Sequence, residues 1–212
     1  MRKSSAPERV DGAKSRALLL DTAGRLAAEK GWAAVTSREI AREAGLNMAS
    51  INYWFGSRDK LYEAVIETLP EAIMAEDFFM RLETAEATEA SLREFITALF
   101  EFRHRPHGWA VRLWFREIAG NPSPAFLKIA KGRGFKRLSV LKGFIARYLE
   151  ANPADLHVQW VVLTIVSLFF TLTVCSSRVG KTLLPEFFSD QKATESRIVG
   201  VAIGRAFMVV MM

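Results

Sequence analysis

The sequence predicts an all-α protein, and three observations predict it. Apolar residues recur at helical spacing from one end of the 212-residue chain to the other. Glycine, proline and short polar residues fall where helices start and stop. No stretch alternates apolar and polar residues as a half-buried strand would. Half the residues are apolar, 25% are charged, and 13 glycines and 7 prolines are too few for a disordered or fibrous chain. The length suits one domain of ordinary size or two small ones.

Residues 1–12, with Arg2, Lys3 and Arg9 and no apolar period, read as a disordered basic arm. Leu19, Ala23, Leu26 and Ala27 share one face of a first helix over 13–30, and Gly31 can terminate it in a left-handed conformation. Thr36-Ser37-Arg38-Glu39 has capping-box spacing: the Thr36 hydroxyl can accept from the Glu39 amide while the Glu39 carboxylate reaches back. A short helix over 37–44 follows and Gly45 ends it. Leu46 plugs the turn, and Asn47 is suited to cap a third helix over 48–54. Gly56-Ser57 restarts the chain into a helix from Arg58 to about Thr68, Pro70 marks a bend or boundary, and the acidic stretch 83–89 reads as a solvated connection. Beyond it, helices are expected over 90–104, 108–119, 123–151, 154–177 and 190–210.

Two short helices joined by a four-residue turn form a helix-turn-helix pattern. Ile40, Ala41, Ala44, Leu46, Ile51 and Phe55 can face inward together, which leaves Asn47, Ser50, Asn52 and Tyr53 for an outer face. A helix of this size fits the major groove of a duplex, where base edges carry a distinguishable donor and acceptor code.

The run from Thr36 through Gly45-Leu46, then Ile51, then Phe55-Gly56-Ser57-Arg58-Asp59-Lys60-Leu61, resembles the N-terminal domain of the TetR-type transcriptional regulators over about residues 13–62. Ile51 to Ser57, with the later Arg116-Glu117 to Ser123-Pro124 segment, looks most like the CecR branch of that family. The resemblance implies a homodimeric repressor with an N-terminal three-helix domain at 13–62. A larger helical domain at 63–212 would dimerise and bind a small effector of unknown identity. Three positions depart from the common pattern: Asn52 stands where an aromatic is usual, Trp54 where many members have His or Tyr, and Arg58 where many have Lys.

The DNA-binding set follows from side-chain chemistry. Arg38 suits a base edge or the minor groove, since a guanidinium can bond guanine O6 and N7 together, and Asn52 suits adenine N6 and N7. Ser37, Asn47, Ser50, Tyr53, Arg58 and Lys60 suit phosphates, which set register. The alternative for each is a solvated surface residue or a cap.

Charge does not locate the site. Residues 1–62 carry a net +4, 63–99 a net −7 and 100–212 a net +9. The single cysteine, Cys175, excludes an internal disulfide framework, and with no apolar N-terminal run the expected compartment is a reducing cytoplasm.

Residues 156–177 carry no Asp, Glu, Lys or Arg, so a membrane span has to be weighed. His157, Gln159, Thr164, Ser167, Thr171 and Thr173 favour a helix buried in a core and a dimer interface, and no membrane partner is expected. Paired with the helix over 190–210, it would form a four-helix interface at about 154–177 and 190–210 of two copies. Arg103, Arg105, Arg112 and Arg116 cluster in sequence with Trp109, Trp114 and Phe115, and Phe95, Phe100, Phe126, Phe135 and Phe144 lie on neighbouring helices. One reading is an aromatic cavity for an anionic or aromatic effector, lined by Phe100, Arg103, Trp109, Arg112, Trp114 and Phe126. The other is that the aromatics are core and the arginines a solvated face.

No enzyme, cofactor or metal is expected. Glu101, His104 and His107 have metal-like spacing but Pro106 interrupts them, and no nucleophile elbow, phosphate loop or dinucleotide fingerprint occurs. The functional alternative is a membrane-associated or protein-docking helical module without sequence-specific DNA binding.

Overall fold

A computed structural model describes residues 6–102 and 108–175, with positions 182, 185 and 200. Those residues form ten α-helices: α1 Ala6–Lys30, α2 Ser37–Glu43, α3 Ala49–Phe55, α4 Arg58–Ile73, α5 Glu76–Thr84, α6 Glu89–Phe102, α7 Gly108–Ala119, α8 Pro124–Ile129, α9 Phe135–Tyr148 and α10 Leu156–Cys175. A 3-10 turn at Trp32–Ala34 joins α1 to α2, and a π-helical turn at Ala130–Gly134 joins α8 to α9. The fold is all-α, as the sequence predicts.

The chain divides into two compact units, Met1–Leu69 with Arg112–Ile129, and Pro70–Val111 with Ala130–Met212. This differs from a division at residue 62. The N-terminal unit keeps most of α4 because Leu61, Tyr62, Val65, Ile66 and Leu69 repeat at three- and four-residue spacing and are all buried. It also takes in most of α7, from Arg112 on, and all of α8. The expectation of a disordered arm over 1–12 is corrected in part, because α1 begins at Ala6. Pro7 there occupies the first turn, where its missing N–H costs no bond.

In the N-terminal unit the expected α1 face is the core: Leu19, Ala23, Leu26 and Ala27 are buried. Gly12 extends α1 along Trp54, and a Cβ there would stand 2.9 Å from the indole. Gly31 ends α1 at φ 82°, and its amide closes on the Ala27 carbonyl at 2.9 Å. Ile40, Ala41, Ala44 and Ile51 are buried between α2 and α3 as expected, with Leu46 and Phe55 half-buried. On α8, Phe126 is buried and packs edge-on against Trp114 at 4.8 Å.

In the C-terminal unit α9 packs on α5 and α10, and α10 on α6. Leu82 of α5, Leu92, Phe95 and Ile96 of α6, Leu141, Phe144 and Ile145 of α9, and Val158, Val161, Val162, Ile165 and Phe169 of α10 make one core. Each such side chain contributes about 1.5–3 kcal/mol when fully buried. Two expectations are corrected here, and one helix stands where none was expected. The helix expected to end at about Thr68 runs on to Ile73, although the two units do divide at Pro70. The Pro70 carbonyl accepts from the buried Arg137 guanidinium, whose Nη2 also pairs with Glu76 at 2.9 Å and Glu71 at 3.2 Å. A helix, α5, occupies 76–84, ahead of the acidic connection. The single helix expected over 123–151 is interrupted by the π turn, which holds Gly132 and Gly134.

Among the described residues no helix is long and apolar enough to cross a membrane.

Candidate nucleic-acid interface

The helix-turn-helix is set by its caps. The Thr36 Oγ1 accepts from the Glu39 amide at 3.2 Å, so half of the capping box forms. The other half does not, because the Glu39 carboxylate turns to the Lys30 ammonium on α1, which holds it below its ordinary pKa. At the turn, Gly45 adopts φ 64°; its amide bonds the Arg42 carbonyl at 3.1 Å and the Leu46 amide the Ala41 carbonyl at 2.9 Å. This is a Schellman closure, which needs a left-handed residue at the glycine position. The Asn47 Oδ1 then accepts from the Ala49 amide at 2.9 Å and starts α3.

This framework fixes what α2 and α3 present. Ile51 turns inward, and Met48, Ala49, Asn52 and Tyr53 line the exposed side of α3, with Tyr53 at 78% exposure packed edge-on against Trp54 at 4.7 Å. Ser50 and Ser37 are half-buried, and Asn47 is exposed but serves as a cap. Arg38 is exposed on the first turn of α2 and makes no hydrogen bond or ion pair with any described residue. Arg42, one turn further along α2, is instead paired with Glu43 at 3.1 Å.

Two of the residues expected to meet phosphate are committed elsewhere. The Arg58 Nε donates to the Val35 carbonyl at 2.8 Å, its Nη2 to the Trp32 carbonyl, and the guanidinium lies 4.2 Å from the Trp32 ring centroid. It fastens α4 to the turn after α1. Arg in place of Lys follows, since one ammonium could not stack and bond both carbonyls. Lys60 reaches solvent, but its ammonium pairs with Glu63 at 2.6 Å, which raises its pKa.

Sequence reasoning missed the brace behind this surface. Trp32 stacks on Tyr62 at 4.4 Å, and the Tyr62 hydroxyl donates to the buried Glu117 carboxylate, whose other oxygen accepts from the Ser123 amide at 2.7 Å. The Arg116 Nη2 caps the Glu29 carbonyl at the end of α1 at 3.2 Å. The Arg116-Glu117 to Ser123-Pro124 segment was the available signal, and its position in the N-terminal unit is the reason for those residues.

A family model described as "Bacterial regulatory proteins, tetR family" matches residues 19–65. A second, "HTH-type transcriptional dual regulator CecR, C-terminal domain", matches 86–199, more than half the chain. The chain belongs to the TetR family. The HTH-type transcriptional regulator BetI of Rhizobium meliloti (strain 1021) is 43% identical over 54 residues, which are 26% of this chain and 27% of that one. The probable HTH-type transcriptional regulator YttP of Bacillus subtilis (strain 168) is 26% identical over 106 residues, 47% of this chain and 48% of that one. These matches span from about a quarter to about half the length of the curated relatives. A TetR-family regulator from Mesorhizobium loti MAFF303099 superposes with a TM-score of 0.64 at 16% identity, over 93% of this chain and 97% of that one, which shows the shared fold. TetR-family regulators are DNA-binding proteins and not enzymes.

The expected effector residues of this TetR-family chain are described only in part. The Phe100 side chain and all of Arg103 lie outside the described residues, as do Arg105, His104 and His107. Trp109 is buried in the C-terminal unit, while Arg112, Trp114 and Phe126 belong to the N-terminal one. Arg112 is exposed and Arg116 is a helix cap. Two cavities of the C-terminal unit are lined by other residues: one by α5 and α6, the other by α9 and α10. Among the described residues no three His, Cys, Asp or Glu stand where they could hold a metal ion.

Proposed function

We propose that this TetR-family chain is a sequence-specific, DNA-binding transcriptional repressor that binds a palindromic operator as a homodimer and leaves it when a small molecule binds. The observation that carries the reading is the surface of α2 and α3. The unpaired Arg38 guanidinium and the exposed Asn52 and Tyr53 stand on a framework fixed by Thr36, Gly45 and Asn47. Arg38 reads a base edge, Asn52 an adenine, and Ser37, Asn47, Ser50, Tyr53 and Lys60 meet phosphates, Lys60 by exchanging Glu63 for the backbone. Arg58 positions the surface without touching DNA.

A two-fold axis supplies the palindrome, since two such surfaces must meet successive major grooves about 34–36 Å apart. The α10 segment of the expected dimer interface supports it: Leu156, Trp160 and Leu163 are more than half exposed on α10, beside an apolar groove of about 500 Å³ shared with α9. The other segment, 190–210, lies outside the described residues apart from Gly200. An effector acts by its differential affinity for two states of the dimer, commonly about 1–3 kcal/mol of coupling.

The test is selection of binding sites from a random duplex library by the purified protein at about 150 mM salt, because affinity without salt and sequence controls has no meaning. A recovered palindrome is the expected result. Weak, salt-sensitive binding with no motif would replace this reading with that of a protein-docking module.

A further inference from the structure

In the C-terminal unit α5 and α6 line a half-open cavity of about 390 Å³. That lies within the range of small-molecule sites, roughly 300–1,000 Å³. Phe78 and Phe95 line it as a stacked pair, 5.4 Å between centroids at 30°, and Phe95 is 3% exposed. Its polar groups are Asp77, Arg81, Ser91 and Glu94. Asp77 and Arg81 neutralise each other at 3.0 Å, and the Ser91 hydroxyl bonds that of Thr88 at 3.0 Å. Glu94 is exposed and makes no hydrogen bond or ion pair with any described residue. One uncompensated carboxylate therefore faces an aromatic wall.

We propose that this cavity takes an organic cation with a flat aromatic body, its ring against Phe78 and Phe95 and its positive charge at the Glu94 carboxylate. Aromatic faces attract cations through the ring quadrupole, and the wall does so here: the Arg81 guanidinium lies 5.9 Å from the Phe78 centroid. The surroundings have the matching sign. Residues 63–99, which include α5 and most of α6, carry a net −7 and concentrate cations near the mouth. An anion would meet two carboxylates and a guanidinium already committed to one of them. None of Arg112, Arg116 or their described neighbours, the arginines that would suit an anionic effector, lines this cavity. Only the regulatory consequence of binding rests on the ligand-released repressor proposed above.

The probe is thioflavin T, an aromatic cation whose fluorescence rises when it is held rigid, titrated into the full chain without DNA. Anilinonaphthalene sulfonate serves as the anionic competitor. Saturation at one site per chain is expected, with Glu94→Gln weakening it about tenfold, Glu94→Lys abolishing it, and Glu43→Gln, an exposed position outside residues 63–99, leaving it unchanged. Both Glu94 variants are at an exposed position and leave the fold intact. Absence of saturable binding, equal affinity in Glu94→Gln, or displacement by equimolar sulfonate would overturn the proposal. Operator release is read separately. Release by thioflavin T that persists in Glu94→Gln would overturn this cavity and leave ligand control standing, whereas Glu94-dependent binding without release would uphold the cavity and remove ligand control.

Discussion

The Tyr62 hydroxyl donates to the Glu117 carboxylate across 55 positions of sequence, and both side chains are buried within the N-terminal unit. The same carboxylate holds the Ser123 amide at 2.7 Å, and the Tyr62 ring lies 4.4 Å from that of Trp32. One pair thus joins the turn after α1, the second turn of α4 and the loop between α7 and α8. That brace fixes the helices from which α2 and α3 project.

Burial, then the hydrogen bond and charge of Glu117, push the Tyr62 hydroxyl well above its ordinary value of 10.0. The folded chain therefore binds this proton more tightly than the unfolded one. The resulting stability is complete below pH 10 and is lost as pH rises beyond it, at up to about 1.4 kcal/mol per unit. In urea titrations Tyr62→Phe should cost about 1–2 kcal/mol at neutral pH. The difference from the parent should shrink above pH 10; a difference that grows there would refute the assignment.

Arg58 and Lys60 should separate cleanly. Arg58→Lys loses at least one carbonyl and the Trp32 stack, so stability falls by about 1–2 kcal/mol while the salt dependence of DNA binding is unchanged. Lys60→Ala barely affects stability, since its pair with Glu63 is solvent-exposed, but lowers the slope of log affinity against log salt by about one. Chemical denaturation and affinity measured over a salt series give both quantities.

Glu150 ends α9 at φ 51°, with its amide on the Arg147 carbonyl and that of Ala151 on the Ala146 carbonyl. This is the closure that Gly45 makes at the end of α2, but with a side chain in the left-handed region. Glu150→Gly should raise the unfolding free energy by about 1 kcal/mol, because the strain relieved exceeds the entropy added to the unfolded chain. A lower melting temperature for this variant would count against the closure.

What was legible in the sequence was local. Thr36, Gly45 and Asn47 act through residues two to five positions away, and the apolar period of α1 needs no partner to be seen. What was illegible depends on distant partners. Glu39 could satisfy its carboxylate within the capping box or at Lys30, and only the fold brings Lys30 near. Pro70 looks like a stop, yet α4 runs on to Ile73, and only the fold brings Arg137, 67 positions on, to its carbonyl. Arg58 looks like a phosphate ligand until the Trp32 and Val35 carbonyls are placed beside it. The aromatic residues near 109–126 carry equal signals for core and cavity, and the fold divides them between two units.

If α2 and α3 read sequence, Arg38 is the side chain whose loss must show it. The measurement is fluorescence anisotropy at about 150 mM salt, with the parent and Arg38→Ala titrated into a selected palindrome, its single-base variants and a scrambled duplex. The parent should prefer the palindrome, and Arg38→Ala should cost about 1–3 kcal/mol there while relaxing the preference at one position of each half-site. Equal binding of palindrome and scrambled duplex by the parent, or an equal loss on every duplex in the variant, would contradict it.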